Sequence, residues 1–392
     1  MEHLVGEIRA YAWGSTDAIP AILGTPRTGE PQAEYWLGAH QSAPSHLGGT
    51  PLDAILASHP EWIGERSRER FGDVLPYLMK ILAADQPLSL QAHPSRAQAE
   101  EGFTRENAAG IALDDPQRTY KDAWPKPEII VALTPFDGLC GFADPHRTWE
   151  LFEQLKASDD VMELVAPLKG RCGEAGLAEV FLEVLSMGPD RQNIVTEVVA
   201  AAVRQRNAHG PLGRFARTAI ELDEFYPGDP SIIAALLCNR VTLQPGEALF
   251  MPAANMHAYL KGTGIEVMAN SDNVLRGGLT PKYIDVAQLV EVVNFAPETP
   301  AVIYSVGVAP GLSRYPTPAP EFALWRLDLA DGIEVALPAS DSARVLLVIE
   351  GFLTTDDPAC TELHQGESAF LPAGEHRSVK GNCVAFLAAP GV

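Results

Sequence analysis

Pro245-Gly246-Glu247-Ala248-Leu249-Phe250-Met251-Pro252-Ala253 leads to His257 and then Gly262. Later in the chain, Gln365-Gly366-Glu367-Ser368-Ala369-Phe370-Leu371-Pro372-Ala373 leads to His376 and then Gly381. The two stretches align with one residue of gap. Each reads as a Gly-Glu turn, a short apolar strand ending in Pro-Ala, a loop, a histidine and a further strand. Two copies of one hairpin imply two similar β units, the second close to the C-terminus.

Around these hairpins, 33 glycines and 32 prolines punctuate short segments, throughout residues 1–142 and 232–392. Short runs between turn signals indicate barrels or sandwiches. Residues 144–230 read differently. Ile194, Val195, Val198, Val199 and Ala202 form an amphipathic stripe, and Leu177, Val180, Phe181 and Val184 follow i, i+3, i+4, i+7. This block is a helical insertion, and a shorter helical stretch is expected from Pro51 to Phe71. The hairpin resembles that of cupins, which are double-sheet jelly rolls. The expected fold is therefore mainly β: two cupin-type jelly-roll barrels with an inserted α-helical domain. Residues 1–143 plus 231–300 would form the catalytic domain, 144–230 the insertion, and 301–392 a non-catalytic C-terminal barrel.

Composition narrows the function. The chain has 46% hydrophobic and 20% charged residues, ordinary for a globular protein. It lacks any apolar run of about 18 residues, so no membrane helix is expected. The N-terminus has neither a basic nor an apolar leader region, which points to the cytoplasm. Net charge is −22, from 29 basic and 51 acidic residues, a field that repels nucleic acid and anionic membranes. An anionic small substrate would then need a local cationic patch. Cys140, Cys172, Cys238, Cys360 and Cys383 are odd in number and never in a Cys-x-x-Cys pair. They are expected to be reduced, mostly buried thiols.

Four segments carry chemistry-bearing residues. In Leu88-Ser89-Leu90-Gln91-Ala92-His93-Pro94, strand alternation sends Ser89, Gln91 and His93 to one face and the apolar residues to the other. Lys126-Pro127-Glu128 opens the apolar strand Ile129–Leu133, and His257 follows the first hairpin. Gln91, His93, Glu128 and His257 offer an amide oxygen, a carboxylate and two imidazoles, a set that zinc accepts and that manganese or iron would tolerate. Glu266 and the run Ser271-Asp272-Asn273-Val274-Leu275-Arg276-Gly277-Gly278-Leu279-Thr280-Pro281-Lys282-Tyr283 place two acids and two cations around a Gly-Gly turn. That turn is a candidate anion-binding loop, with Arg276 as a planar fork and Lys282 as a point charge.

Five segments in order closely resemble type I mannose-6-phosphate isomerases: Tyr11–Ser15, Ala33–His40, Leu88–Pro94, Lys126–Phe142 and Gly246–Tyr283. The run Ala269–Lys282 is the most specific. The resemblance implies one zinc ion per chain, held by Gln91, His93, Glu128 and His257. It implies interconversion of mannose 6-phosphate and fructose 6-phosphate by a monomer, through a cis-enediol and proton transfer between C1 and C2. Arg276 matches the family's essential arginine, and Lys282, Lys126, Glu266 and Asp272 match other active-site positions. Any of these last three could be the base that carries the proton. Ser89, Lys282, Glu34 and Tyr259 are the expected substrate contacts. One position departs from the family: many members have a histidine just before Lys-Pro-Glu, and this chain has Pro125. An oxygenase of the cupin type would instead set two histidines and a glutamate close together on one hairpin, a spacing absent here.

Overall fold

The structure is a computed structural model that describes residues 1–392 except Cys172, Pro189, Asp190, Gln192 and Asp331. It is a mixed α/β architecture with two large antiparallel sheets, of 11 and 10 strands, and a helical middle region. The 10-stranded sheet is organised by one long strand, His257–Ala269. Its first half pairs with Leu90–Ala92 and Phe136–Phe142, and its second half with Tyr77–Ala84 and Glu128–Ala132. The change of partners falls at Gly262, whose φ of +130° is open only to glycine without strain.

Alternation along these strands sorts the side chains into layers. Leu90, Ala92, Leu139, Phe142, Ala258 and Leu260 face outward into one core with the helical block, including Phe152, Val180, Phe181, Val195 and Ala219. Leu82, Ala84, Ile130, Ala132, Phe136 and Tyr259 form a separate core on the inner face. Tyr77, Met79, Ile81, Ile129, Val131, Ile265 and Val267 pack instead against Val345, Leu347, Phe370 and Phe386 of the second sheet. Both ends of the chain build that second sheet: Glu2–Val5 pairs with Ser368–Leu371 on one side and with His46–Leu47 on the other.

The repeated hairpins use the same turn. Gly246 and Gly366 both have positive φ, at +89° and +82°. Glu247 accepts from the Gln244 N–H and Glu367 from the His364 N–H, each at 2.8 Å. The repeated Gly-Glu pair thus has a local cause, since the glycine supplies the left-handed step and the carboxylate caps the turn.

Helix content exceeds the mainly β expectation. Besides the segments between Pro145 and Phe225, helices form at Arg96–Ala108, Ser231–Leu236 and Val286–Val292. Arg96–Ala108 has almost no apolar stripe, but Ser95 and Gln98 make a complete capping box at its start. Cys140, Cys238, Cys360 and Cys383 are free and buried, while Cys172 lies outside the described residues.

Candidate metal centre and active-site cavity

Three adjacent strands bring the first ligand candidates together. Gln91 lies opposite His257 on one side and opposite Arg276 of the Leu275–Gly278 strand on the other, so all three side chains share a face. Glu128 comes from the neighbouring strand, paired with Met268. His93, just past the Leu90–Ala92 strand, completes the set.

His93, Glu128 and His257 are each 1% exposed, and their ligand-type atoms all lie within 4.8 Å of one another. His93 Nε2 is 3.1 Å from Glu128 Oε1, and His257 Nε2 is 3.5 Å from Glu128 Oε2. Both rings are held from behind by carbonyls. His93 Nδ1 donates to Asn273 O at 2.8 Å, and His257 Nδ1 donates to Asn255 O at 3.0 Å. A carbonyl only accepts, so each Nδ1 carries the proton and each Nε2 turns a lone pair inward. Burial, with Lys126 adding to it, pushes His93 down to about 4, which keeps the ring neutral as a ligand must be. Burial works to raise the Glu128 pKa, but the Lys126 ammonium beside it holds it well below the usual carboxylate range.

The His93 Nε2 and Glu128 Oε2 atoms are buried without a hydrogen-bond partner among the described residues. Orphaned inward-facing donor atoms of this kind fit a cation between them. The Gln91 amide nitrogen stands 3.4 Å from His257 Nε2, and a half-turn of that amide would present its oxygen to the same point.

Beside the triad opens a cavity of about 210 Å³ lined by Tyr11, Glu34, Trp36, Lys80, Gln91, Lys126, Glu128, Tyr259, Glu266 and Asp272, among others. It gathers seven of the residues expected from sequence. Lys126 Nζ is 2.8 Å from Glu128 Oε1. Glu266 accepts from the Tyr259 hydroxyl at 2.9 Å and pairs with Lys80 at 3.0 Å. Glu34 accepts from Trp36 Nε1 at 2.8 Å and also meets Lys80, at 3.3 Å. Burial raises the Glu266 pKa, with Lys80 opposing it. Asp272 goes the other way: burial works to raise it, and the His40 contact at 3.3 Å holds it below its ordinary value.

Arg276 and Lys282 lie outside the lining of this cavity. Val274 lines it and also a small neighbouring recess that contains Arg276, Arg118 and Tyr283. Arg276 is half-buried, and burial alone lowers its pKa. Lys282 is lowered by burial and by its neighbours Arg276 and Lys121. Neither forms an ion pair among the described residues, so this is the uncompensated positive patch that an acidic protein needs for an anion. Ser89 is half-buried just before the strand Leu90–Ala92 and lies outside the lining of either recess. The loop carrying Asp272 is fixed by Asn273, whose amide donates to Asp122 O and Trp124 O, each at 2.9 Å.

Lys80, Trp36 and His40 were not singled out in the sequence. Lys80 had a readable signal: it is the one charged residue in the wholly buried strand Tyr77–Ala84.

Comparison with known proteins agrees with this arrangement. Residues 1–145 match the family model of the phosphomannose isomerase type I catalytic domain. The mannose-6-phosphate isomerase of Salmonella typhimurium is 37% identical over 386 residues, covering 96% of this chain and 95% of that protein. That of Escherichia coli is 36% identical over 392 residues, with 97% of each covered. A solved structure of mannose 6-phosphate isomerase bound with zinc and yttrium superposes with a TM-score of 0.90 at 35% identity, over 100% of both chains. A single-residue variant of the Salmonella typhimurium phosphomannose isomerase gives 0.91 at 35%, again over 100% of both. Fold, buried triad and likeness together define a sugar-phosphate isomerase. The chain belongs to the type I phosphomannose isomerase family.

Proposed function

We propose that the protein is a zinc-dependent aldose–ketose isomerase that interconverts mannose 6-phosphate and fructose 6-phosphate. It would act as a cytoplasmic monomer with one zinc per chain. The observation that carries this reading is the His93–Glu128–His257 triad, with orphaned atoms turned inward, beside a cavity lined with acids and lysines. The zinc-bound relative supports the choice of metal. Gln91, His93, Glu128 and His257 would hold it. When bound, it supplies Lewis acidity toward substrate oxygens.

The chain's own residues supply the rest. Moving a carbonyl between C1 and C2 requires a proton to leave one carbon and arrive at the other through a cis-enediol. Of the three candidate bases, Glu266 fits best. It reaches the cavity, and its raised pKa brings it nearer the working pH. Asp272 is weakened as a base by His40, and Lys126 is tied to Glu128. Lys80, charged between Glu34 and Glu266, and the Tyr259 hydroxyl orient the Glu266 carboxylate. Arg276 would stabilise the anionic enediolate or hold the phosphate, and Lys282 with Ser89 would hold the phosphate. Glu34 would accept a sugar hydroxyl. No histidine at position 125 takes part, because that residue is Pro125.

The reading also assigns residues 1–143 plus 231–300 to a catalytic cupin barrel and 144–230 to an insertion. Residues 301–392 would form a non-catalytic cupin copy, whose His376 is exposed where His257 is buried. The test is an assay of fructose 6-phosphate formation from mannose 6-phosphate, run in heavy water. Turnover with deuterium entering the carbon-bound positions at C1 or C2 is expected. Turnover with no solvent deuterium would contradict proton transfer through a solvent-exchanging base.

A further inference from the structure

Asn255 and Glu298 take no part in lining the cavity, yet they converge on the turn that carries His257. In that turn Ala254 has φ +67°, a left-handed conformation that crowds its Cβ against the following carbonyl. The corresponding turn of the C-terminal repeat places Gly374 there, at φ +87°. Such a conformation persists only where the surroundings over-determine it.

They do so here. The Ala254 N–H donates to His93 O at 2.7 Å, and the Asn294 N–H donates to Ala254 O at 3.0 Å. The Asn255 side-chain N–H donates to Glu298 Oε1, and its Oδ1 accepts from Cys140 Sγ at 3.4 Å. Its backbone carbonyl is the acceptor that orients His257. Glu298 is itself pinned. Its N–H donates to Phe142 O at 2.9 Å, and its carbonyl accepts from Asn239 Nδ2 at 2.9 Å. Its carboxylate lies against Gly141, where any Cβ would collide with it.

We infer that Asn255 and Glu298 form a brace that positions His257. Through the Ala254–His93 bond the brace also sets the spacing between the two imidazoles. They are positioning residues, acting through the ligands rather than on substrate. The inference rests on reading His93 and His257 as metal ligands. Its physical content is pre-organisation: with the turn anchored, the ligands do not have to be ordered at the moment of binding, and partners of this kind typically contribute about 10–100-fold in metal affinity.

The experiment measures zinc dissociation constants of the full chain by competition with a chromophoric chelator, with the cobalt(II) absorption spectrum as a second readout. Glu298→Ala is expected to weaken zinc about 10–100-fold and to change the cobalt spectrum, with the metal-free thermal midpoint little moved. Glu298→Gln keeps an oxygen that accepts from Asn255, so it should stay near the parent. Asn255→Ala removes the same bond from the other side and reports on it if Glu298→Ala does not fold. Parental zinc affinity and an unchanged cobalt spectrum in the alanine variants would overturn the brace. So would a loss in Glu298→Gln as large as in Glu298→Ala. A parent that binds no zinc would instead sink the metal reading itself, and the brace with it.

Discussion

At the scale of single residues, charges that would be costly alone are buried in compensating sets. Glu128 stands against two imidazoles and Lys126, and Lys80 stands between Glu34 and Glu266. Burial works against the charge on Lys80, but the two carboxylates more than offset it and hold its pKa above the ordinary lysine value. Arg276 is different, because it has no carboxylate partner among the described residues. That makes it available to a charge that arrives with the substrate. Arg276→Ala is therefore expected to lower kcat by about 10²–10³-fold while zinc content, measured by atomic emission, stays at the parental level. Activity within a few-fold of the parent would remove Arg276 from catalysis. The ligand candidates were legible in the sequence because strand alternation separates Gln91 and His93 from Leu90 and Ala92. The backing contacts were not: Asn273 O and Asn255 O are backbone atoms, to which side-chain identity gives no clue.

At the scale of elements, the strand His257–Ala269 carries His257 and Tyr259 in one half and Glu266 in the other, and so joins the candidate metal centre to the proposed acid–base residues. Gly262 lets it turn from one set of partners to the other. A Cβ there would come within 2.8 Å of the Phe136 Cα and the Pro135 carbonyl, at a φ that only glycine adopts freely. Gly262→Ala is expected to destabilise the protein by about 2 kcal/mol or more, read as a lower urea midpoint. An unchanged midpoint would show that the bend does not depend on glycine. The repeat Gly246/Gly366 and the stripes at 177–184 and 194–202 were strong signals because turn chemistry and period are local properties. The helix Arg96–Ala108 was silent because it is polar nearly all round and is held by its cap.

At the scale of the whole molecule, the two sheets are locked by a shared core, and the segment around Glu321 reaches from the second toward the first. Glu321 is buried with one carboxylate oxygen unpartnered among the described residues, and burial raises its pKa, opposed by its own backbone N–H and then by Arg70 and Arg96. A carboxyl with a raised folded-state pKa contributes its stability below the unfolded value near pH 4 and loses it as pH rises through the folded value. Glu321→Gln should therefore match the parent near pH 4 and exceed it by about 1 kcal/mol at pH 7 in denaturant titrations. A variant less stable than the parent at pH 7 would mean that the carboxylate has a partner. The pairing of Glu2–Val5 with Ser368–Leu371 was beyond sequence reading, because it joins segments from opposite ends of the chain with no local signal at either.

The central claim is that the buried triad holds a metal on which isomerisation depends. The direct measurement is the rate of fructose 6-phosphate formation from mannose 6-phosphate, using protein stripped with a chelator and then titrated with zinc. Stripping is expected to abolish activity and one zinc per chain to restore it, with His257→Ala inactive and metal-free throughout. Full activity in the stripped protein, with no metal detectable, would contradict it.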